Sequence, residues 1–187
     1  MKNIIITGAA GNLGSHVSGT LKNEGYNIIA TIGPGADPSR IDPEIAAAYA
    51  VDLANEQKTS GFVEDVRNEY GKIDAAIMIA GGFAMGSLKD TDGTALRKMY
   101  TLNFETAYFI ARQLFLKMEQ QGGGRLVFIG ARPAFSPSDA KIMMAYAMSK
   151  SLLFRLAEIM NEEGRGKNIT ATVIVPGTID TPANRKA

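Results

Sequence analysis

Six apolar runs of strand length recur along this chain, at 3–7, 27–32, 48–51, 75–79, 125–129 and 169–175. Several are continuously apolar, as a strand covered on both faces must be. Between most of them lie longer segments of helical periodicity, predicted as helices at 13–24, 55–70, 91–121 and 143–161. Such alternation builds β-α-β units and therefore a parallel sheet. The expectation is a single α/β domain over residues 1–187, with about six strands and helices on both faces. Glycine and proline mark 33–40 and 131–141 as loops after the second and fifth strands.

In a sheet of this kind ligands bind beyond the carboxyl ends of the strands, where the strand order reverses. Chemistry is therefore sought in the residues that follow each strand. Directly after the first comes Thr7-Gly8-Ala9-Ala10-Gly11-Asn12-Leu13-Gly14, opening a helix. Glycines there allow a tight turn and close approach to a pyrophosphate, while the helix start offers free amides to bind it. Gly8, Ala10, Gly11, Asn12, Leu13 and Gly14 are thus candidate dinucleotide ligands, and the fold is expected to be a doubly wound sheet of the Rossmann type. A ligand-free strand-to-helix turn is the bland alternative. The tip of the second strand, Thr31-Ile32-Gly33, lacks the acid that binds an adenosine ribose in NAD-preferring proteins. Asp37 lies beyond two further glycines, and Ser39 and Arg40 share its loop, so NADP is favoured slightly over NAD. A solvated surface charge is the competing reading of Arg40.

Tyr146 and Lys150 stand four residues apart near the start of the last predicted helix, on one face and one turn apart. A phenol with a pKa of about 10 is a poor proton shuttle, but a neighbouring ammonium favours phenolate and lowers that value. The pair could then move a proton while hydride passes to or from a nicotinamide.

Other chemistries are closed off by composition. No cysteine is present, which excludes disulfides, thiolate catalysis and cysteine-bound metal, and a single histidine, His16, builds no zinc site. No metal is expected. Charges nearly cancel, 20 Lys+Arg against 19 Asp+Glu for a net +1, so no nucleic-acid partner is implied. No run approaches the ~20 apolar residues of a membrane span, and the start of the chain has no signal-peptide pattern. A cytoplasmic protein acting on a small molecule is the expectation.

With these residues placed, the sequence resembles the short-chain dehydrogenase/reductase family along essentially its whole length. Tyr146 and Lys150 match the family's Tyr-x-x-x-Lys, which implies a proton-donating tyrosine and a lysine that holds the nicotinamide ribose. Asn103, in TLNFETAYFIARQ, matches the asparagine that supports a proton-relay water. Asp52 and Leu53 match an adenine-contacting pair, and Pro176, Gly177 and Thr181 a segment that contacts the carboxamide. Ala80, Gly81 and Gly82 match the Asn-Ala-Gly segment, with Ile79 in place of its asparagine. The family's substrate-binding serine is replaced by Ala131; Ser136 and Ser138 lie later in that loop. Dihydropteridine reductases, one branch of the family, share this departure and are similar at 8–14, 79–86 and 179–186. The resemblance implies an NAD(P)-dependent oxidoreductase acting on a small carbonyl, quinonoid or pterin-like substrate, working as a homodimer or homotetramer. It also implies a longer chain, since members usually continue into a substrate-covering helix and a seventh strand. A dinucleotide-binding sensor or scaffold with little turnover is the alternative suggested by the departures.

Overall fold

The computed structural model describes residues 1–181, 184 and 185. Pro182, Ala183 and Lys186, part of the stretch compared above with dihydropteridine reductases, lie outside the described residues. Six parallel strands form one sheet: β1 (Asn3–Thr7), β2 (Asn27–Ile32), β3 (Ala47–Ala50), β4 (Ala75–Met78), β5 (Gly124–Ile129) and β6 (Ile169–Ile174). Their order is β3-β2-β1-β4-β5-β6, so the winding reverses between β1 and β4. This is the doubly wound sheet expected from the alternating pattern.

The helices are α1 (Asn12–Asn23), α2 (Glu56–Tyr70), α3 (Gly93–Tyr100), α4 (Thr106–Gln121), α5 (Pro137–Ala140) and α6 (Met144–Glu163). Local signals place their ends: Asn55 caps α2 by accepting from the Lys58 N–H, and Asp92 caps α3 through Thr94 and Ala95. Gly122, left-handed at φ 86°, closes α4. The expected helix over 91–121 is present as one unbroken helical run from Gly93 to Gln121, but its hydrogen-bond register shifts midway. A π-helical turn, Thr101–Glu105, separates α3 from α4 and carries Asn103 at its centre. The loop expected at 131–141 contains α5 and a short 3-10 turn, Arg132–Ala134.

Both faces of the sheet bury apolar residues, but unequally. On one, Ile5, Ile29, Ala76, Met78, Leu126 and Phe128 pack beneath α2, α4 and α6. On the other, Ile4, Ile6, Ile28 and Ala30 pack beneath Val17 and Leu21 of α1. Each large apolar side chain so buried contributes about 1.5–3 kcal/mol. The result is a rigid platform whose carboxyl-end loops converge where β1 and β4 lie side by side.

Candidate active site

A cavity of about 710 Å³ opens at that reversal. Its floor is the glycine turn after β1. Gly8 adopts φ +67°, and a Cβ there would lie 2.9 Å from the Cα of Ala80, so only glycine fits this close approach. A Cβ on Gly14 would overlap the Gly8 carbonyl oxygen and come within 2.8 Å of the Ala9 Cα. Glycine at both positions lets the turn pack this tightly against the segment after β4 and against itself. Gly8, Ala10, Gly11, Asn12, Leu13 and Gly14 all line the cavity.

The turn is tied to its neighbours. Ala9 donates its N–H to the Thr31 carbonyl at the end of β2. Thr7, 1% exposed, accepts from the N–H groups of both Ile79 and Ala80 at 3.0 Å, joining β1 to the segment that follows β4. Thr7 was not singled out by the sequence reasoning; a lone hydroxyl closing an apolar strand is the signal that could have marked it.

At the opposite wall stand Asn103, Tyr146 and Lys150, with Ala80, Gly81 and Gly82 between them and the glycine turn. Asn103, 1% exposed, accepts from the Gly82 N–H through Oδ1 at 2.8 Å and donates through Nδ2 to Ser149 Oγ at 3.0 Å. The Lys150 ammonium is 6% exposed and donates to the Ile129 carbonyl at 2.8 Å. Burial pushes its pKa down to about 8. Burial also raises the half-buried Tyr146 phenol above its ordinary value. The sequence reading expected the lysine to lower it. In the protein alone desolvation governs the phenol instead, while the ammonium is turned to the end of β5. Phe83 packs edge-on against Tyr146, ring centres 5.1 Å apart, and lines the same cavity.

The remaining candidates separate clearly. Asp52 and Leu53 do not line the cavity: Leu53 is core, and Asp52 accepts from the Ala54 N–H. Pro176, Gly177 and Thr181 also lie outside its lining, whereas Ile179 from the same stretch is part of it. Ala131 is 5% exposed and offers no hydroxyl. Ser136 and Ser138 bond to each other at 2.9 Å on an exposed turn, away from the cavity. Arg132 pairs with Asp139 at 3.0 Å, and His16 bonds to the Asn12 carbonyl on the surface of α1. At the end of the cavity next to β2, Gly33, Ala36, Asp37 and Arg40 close the mouth, and Arg40 Nη2 donates to Asn12 Oδ1 at 3.0 Å. Asp37 caps the 3-10 turn Pro38–Arg40 by accepting from the Ser39 N–H. Among the described residues no group of acids and histidine could hold a metal, and no helix is long and apolar enough to cross a membrane.

Comparison with known proteins identifies the family and the fold. The family model for short chain dehydrogenase matches residues 2–187. Dihydropteridine reductase of Dictyostelium discoideum is 26% identical over 188 residues, covering 99% of this chain and 77% of that protein. Acetoacetyl-CoA reductase of an Acinetobacter species is 24% identical over 190 residues, covering 95% and 74%. Among solved structures, a putative short-chain dehydrogenase/reductase from Burkholderia xenovorans superposes with a TM-score of 0.89 at 22% identity, covering 98% of this chain and 77% of that one. ElxO with NADP bound superposes at 0.87 and 21% identity, covering 99% and 77%.

Proposed function

We propose that this chain, which belongs to the short-chain dehydrogenase family and is an oxidoreductase, holds NADP in its cavity and reduces a conjugated carbonyl, quinonoid or pterin-like substrate. One observation carries the reading: the glycine turn and the Asn103, Tyr146 and Lys150 side chains, distant in sequence, line one cavity. Glycines at 8 and 14 let the turn pack backbone against backbone, and the cavity-lining residues 10–14 at the start of α1 suit a pyrophosphate. A reduced nicotinamide cofactor held there would supply the hydride.

The side chains divide the rest of the work. Tyr146, kept protonated by its burial, would give its proton to the acceptor as the acceptor takes the hydride, so a hydride and a proton, together two electrons and two protons, reach it. Lys150 is largely charged at neutral pH, with a pKa of about 8, and one turn away favours the phenolate that remains. Solvent then restores the proton. Lys150 would also hold the nicotinamide ribose, and Asn103 would anchor a proton-relay water.

Arg40, steered across the mouth by Asn12, supports NADP, since a guanidinium suits a 2′-phosphate. The NADP-bound structural neighbour is consistent with that choice. Ala131 supports the acceptor class: a simple ketone would miss the hydroxyl that polarises it, and loss of such a donor costs about 10²–10³ in rate. A conjugated acceptor needs that help less, and the ring of Phe83 offers it an apolar wall. The dihydropteridine reductase among the relatives points the same way.

Titration with NADPH and NADH, followed by a screen of quinonoid dihydropterin, quinones and simple ketones, tests the proposal. Tyr146→Phe is expected to abolish turnover of whichever acceptor reacts while leaving cofactor affinity nearly intact. Turnover that survives this change would remove Tyr146 from the chemistry, and a chain that binds neither cofactor would remove the premise.

A further inference from the structure

We infer that Ser149, behind the cavity wall, is a positioning residue that holds the nicotinamide end of the site in place. The inference rests on the proposed NAD(P) site. Ser149 is 3% exposed and does not line the cavity. Its hydroxyl is fully used: it accepts from Asn103 Nδ2 at 3.0 Å and donates to the Tyr146 carbonyl at 2.8 Å. The chain of bonds continues from Asn103 Oδ1 to the Gly82 N–H. Three separate elements are joined in this way: the loop after β4, the π-helical turn, and the first turn of α6.

Each link has a consequence for the site. Asn103 sits where α-helical pairing is interrupted, so its orientation is not set by an ordinary helix. The amide must be fixed from outside, and Ser149 does so at its Nδ2 end. At the other end Oδ1 lies so close to Gly81 that a Cβ there would be 2.6 Å away. The Gly81–Gly82 backbone is thereby pinned at the cavity wall, next to Lys150. Without the serine hydroxyl, the buried amide keeps only the weak acceptor Met99 Sδ, 3.8 Å away, and the loop's brace is loosened. Any ligand that contacts the loop must then re-order it, and that cost lowers affinity.

The test separates the two ends of the cofactor. Wild type, Ser149→Ala, Ser149→Cys and Ser149→Thr are titrated with the preferred reduced cofactor and with its adenosine fragment, 2′,5′-ADP for NADPH or 5′-ADP for NADH. Ser149→Ala and Ser149→Cys should bind the whole cofactor about tenfold more weakly, while affinity for the fragment changes by less than about twofold. Ser149→Thr, which keeps a hydroxyl, should restore much of the loss. Hydrogen exchange at the Gly82 amide should accelerate in the alanine and cysteine variants even without ligand. Equal weakening of cofactor and fragment would mean general loosening and would overturn the inference, as would unchanged cofactor affinity. If wild type binds neither ligand, the cofactor reading fails by itself, and Gly82 exchange decides the positioning role alone: acceleration supports it and unchanged exchange ends it.

Discussion

At the scale of single residues, Lys150 shows what burying a charged group costs. Burial lowers its pKa from 10.5 to about 8, so a charged ammonium at neutral pH sits where the charged form is disfavoured. The sign follows directly. Below pH ~8 the folded and unfolded lysines are both protonated and the full desolvation cost applies; it fades as pH climbs toward 10.5, where the unfolded lysine loses its proton too. Lys150→Met should therefore stabilise the cofactor-free protein by about 1–2 kcal/mol near pH 7, once the lost bond to the Ile129 carbonyl is set against the relieved charge. The gap between variant and wild type should narrow between about pH 8 and 10, as read by urea unfolding. A gap that widens with pH would contradict the buried-ammonium account. The Tyr146–Lys150 spacing was plain in the sequence, but the lysine's partner was not, because Ile129 is 21 residues away and bonds through its backbone.

At the scale of elements, periodicity located the strands to within about a residue at most ends, since a run buried on both faces has no other use for so many apolar side chains. It also placed the helix over 91–121 but did not show the change of backbone pairing within it. There TLNFE retains helical spacing and winds as a π turn, and pairing of backbone groups leaves no mark on side-chain pattern. Joints between elements were equally hidden. Thr7 holds the end of β1 to the segment after β4 with one hydroxyl that satisfies two backbone N–H groups. Thr7→Val, close in shape, should leave both donors unmatched and cost about 2–4 kcal/mol in chemical denaturation. A loss under about 0.5 kcal/mol would mean that the loop finds other partners.

For the molecule as a whole, the sheet order β3-β2-β1-β4-β5-β6 decides where a site can exist, because only at the β1/β4 reversal do the following chains part to leave a cleft. The dinucleotide proposed for that cleft would touch both halves of the sheet and bind the folded state alone. At about 100 times its dissociation constant it should add about 2.7 kcal/mol and raise the melting temperature by roughly 5–10 °C. Calorimetry with and without NADPH measures this, and an unchanged melting temperature would contradict binding in the cleft. The sequence by itself determined the α/β class, the strand and helix succession, the glycine turn and the Tyr146–Lys150 pair, because each rests on contacts within a few residues or on side-chain periodicity. Tertiary structure alone decided that Asn103 braces Gly82 through a shared wall with Ser149, that Arg40 reaches Asn12, and that burial raises the phenol of Tyr146. Those depend on which distant segments meet and how much water they exclude, and neither is written in local order.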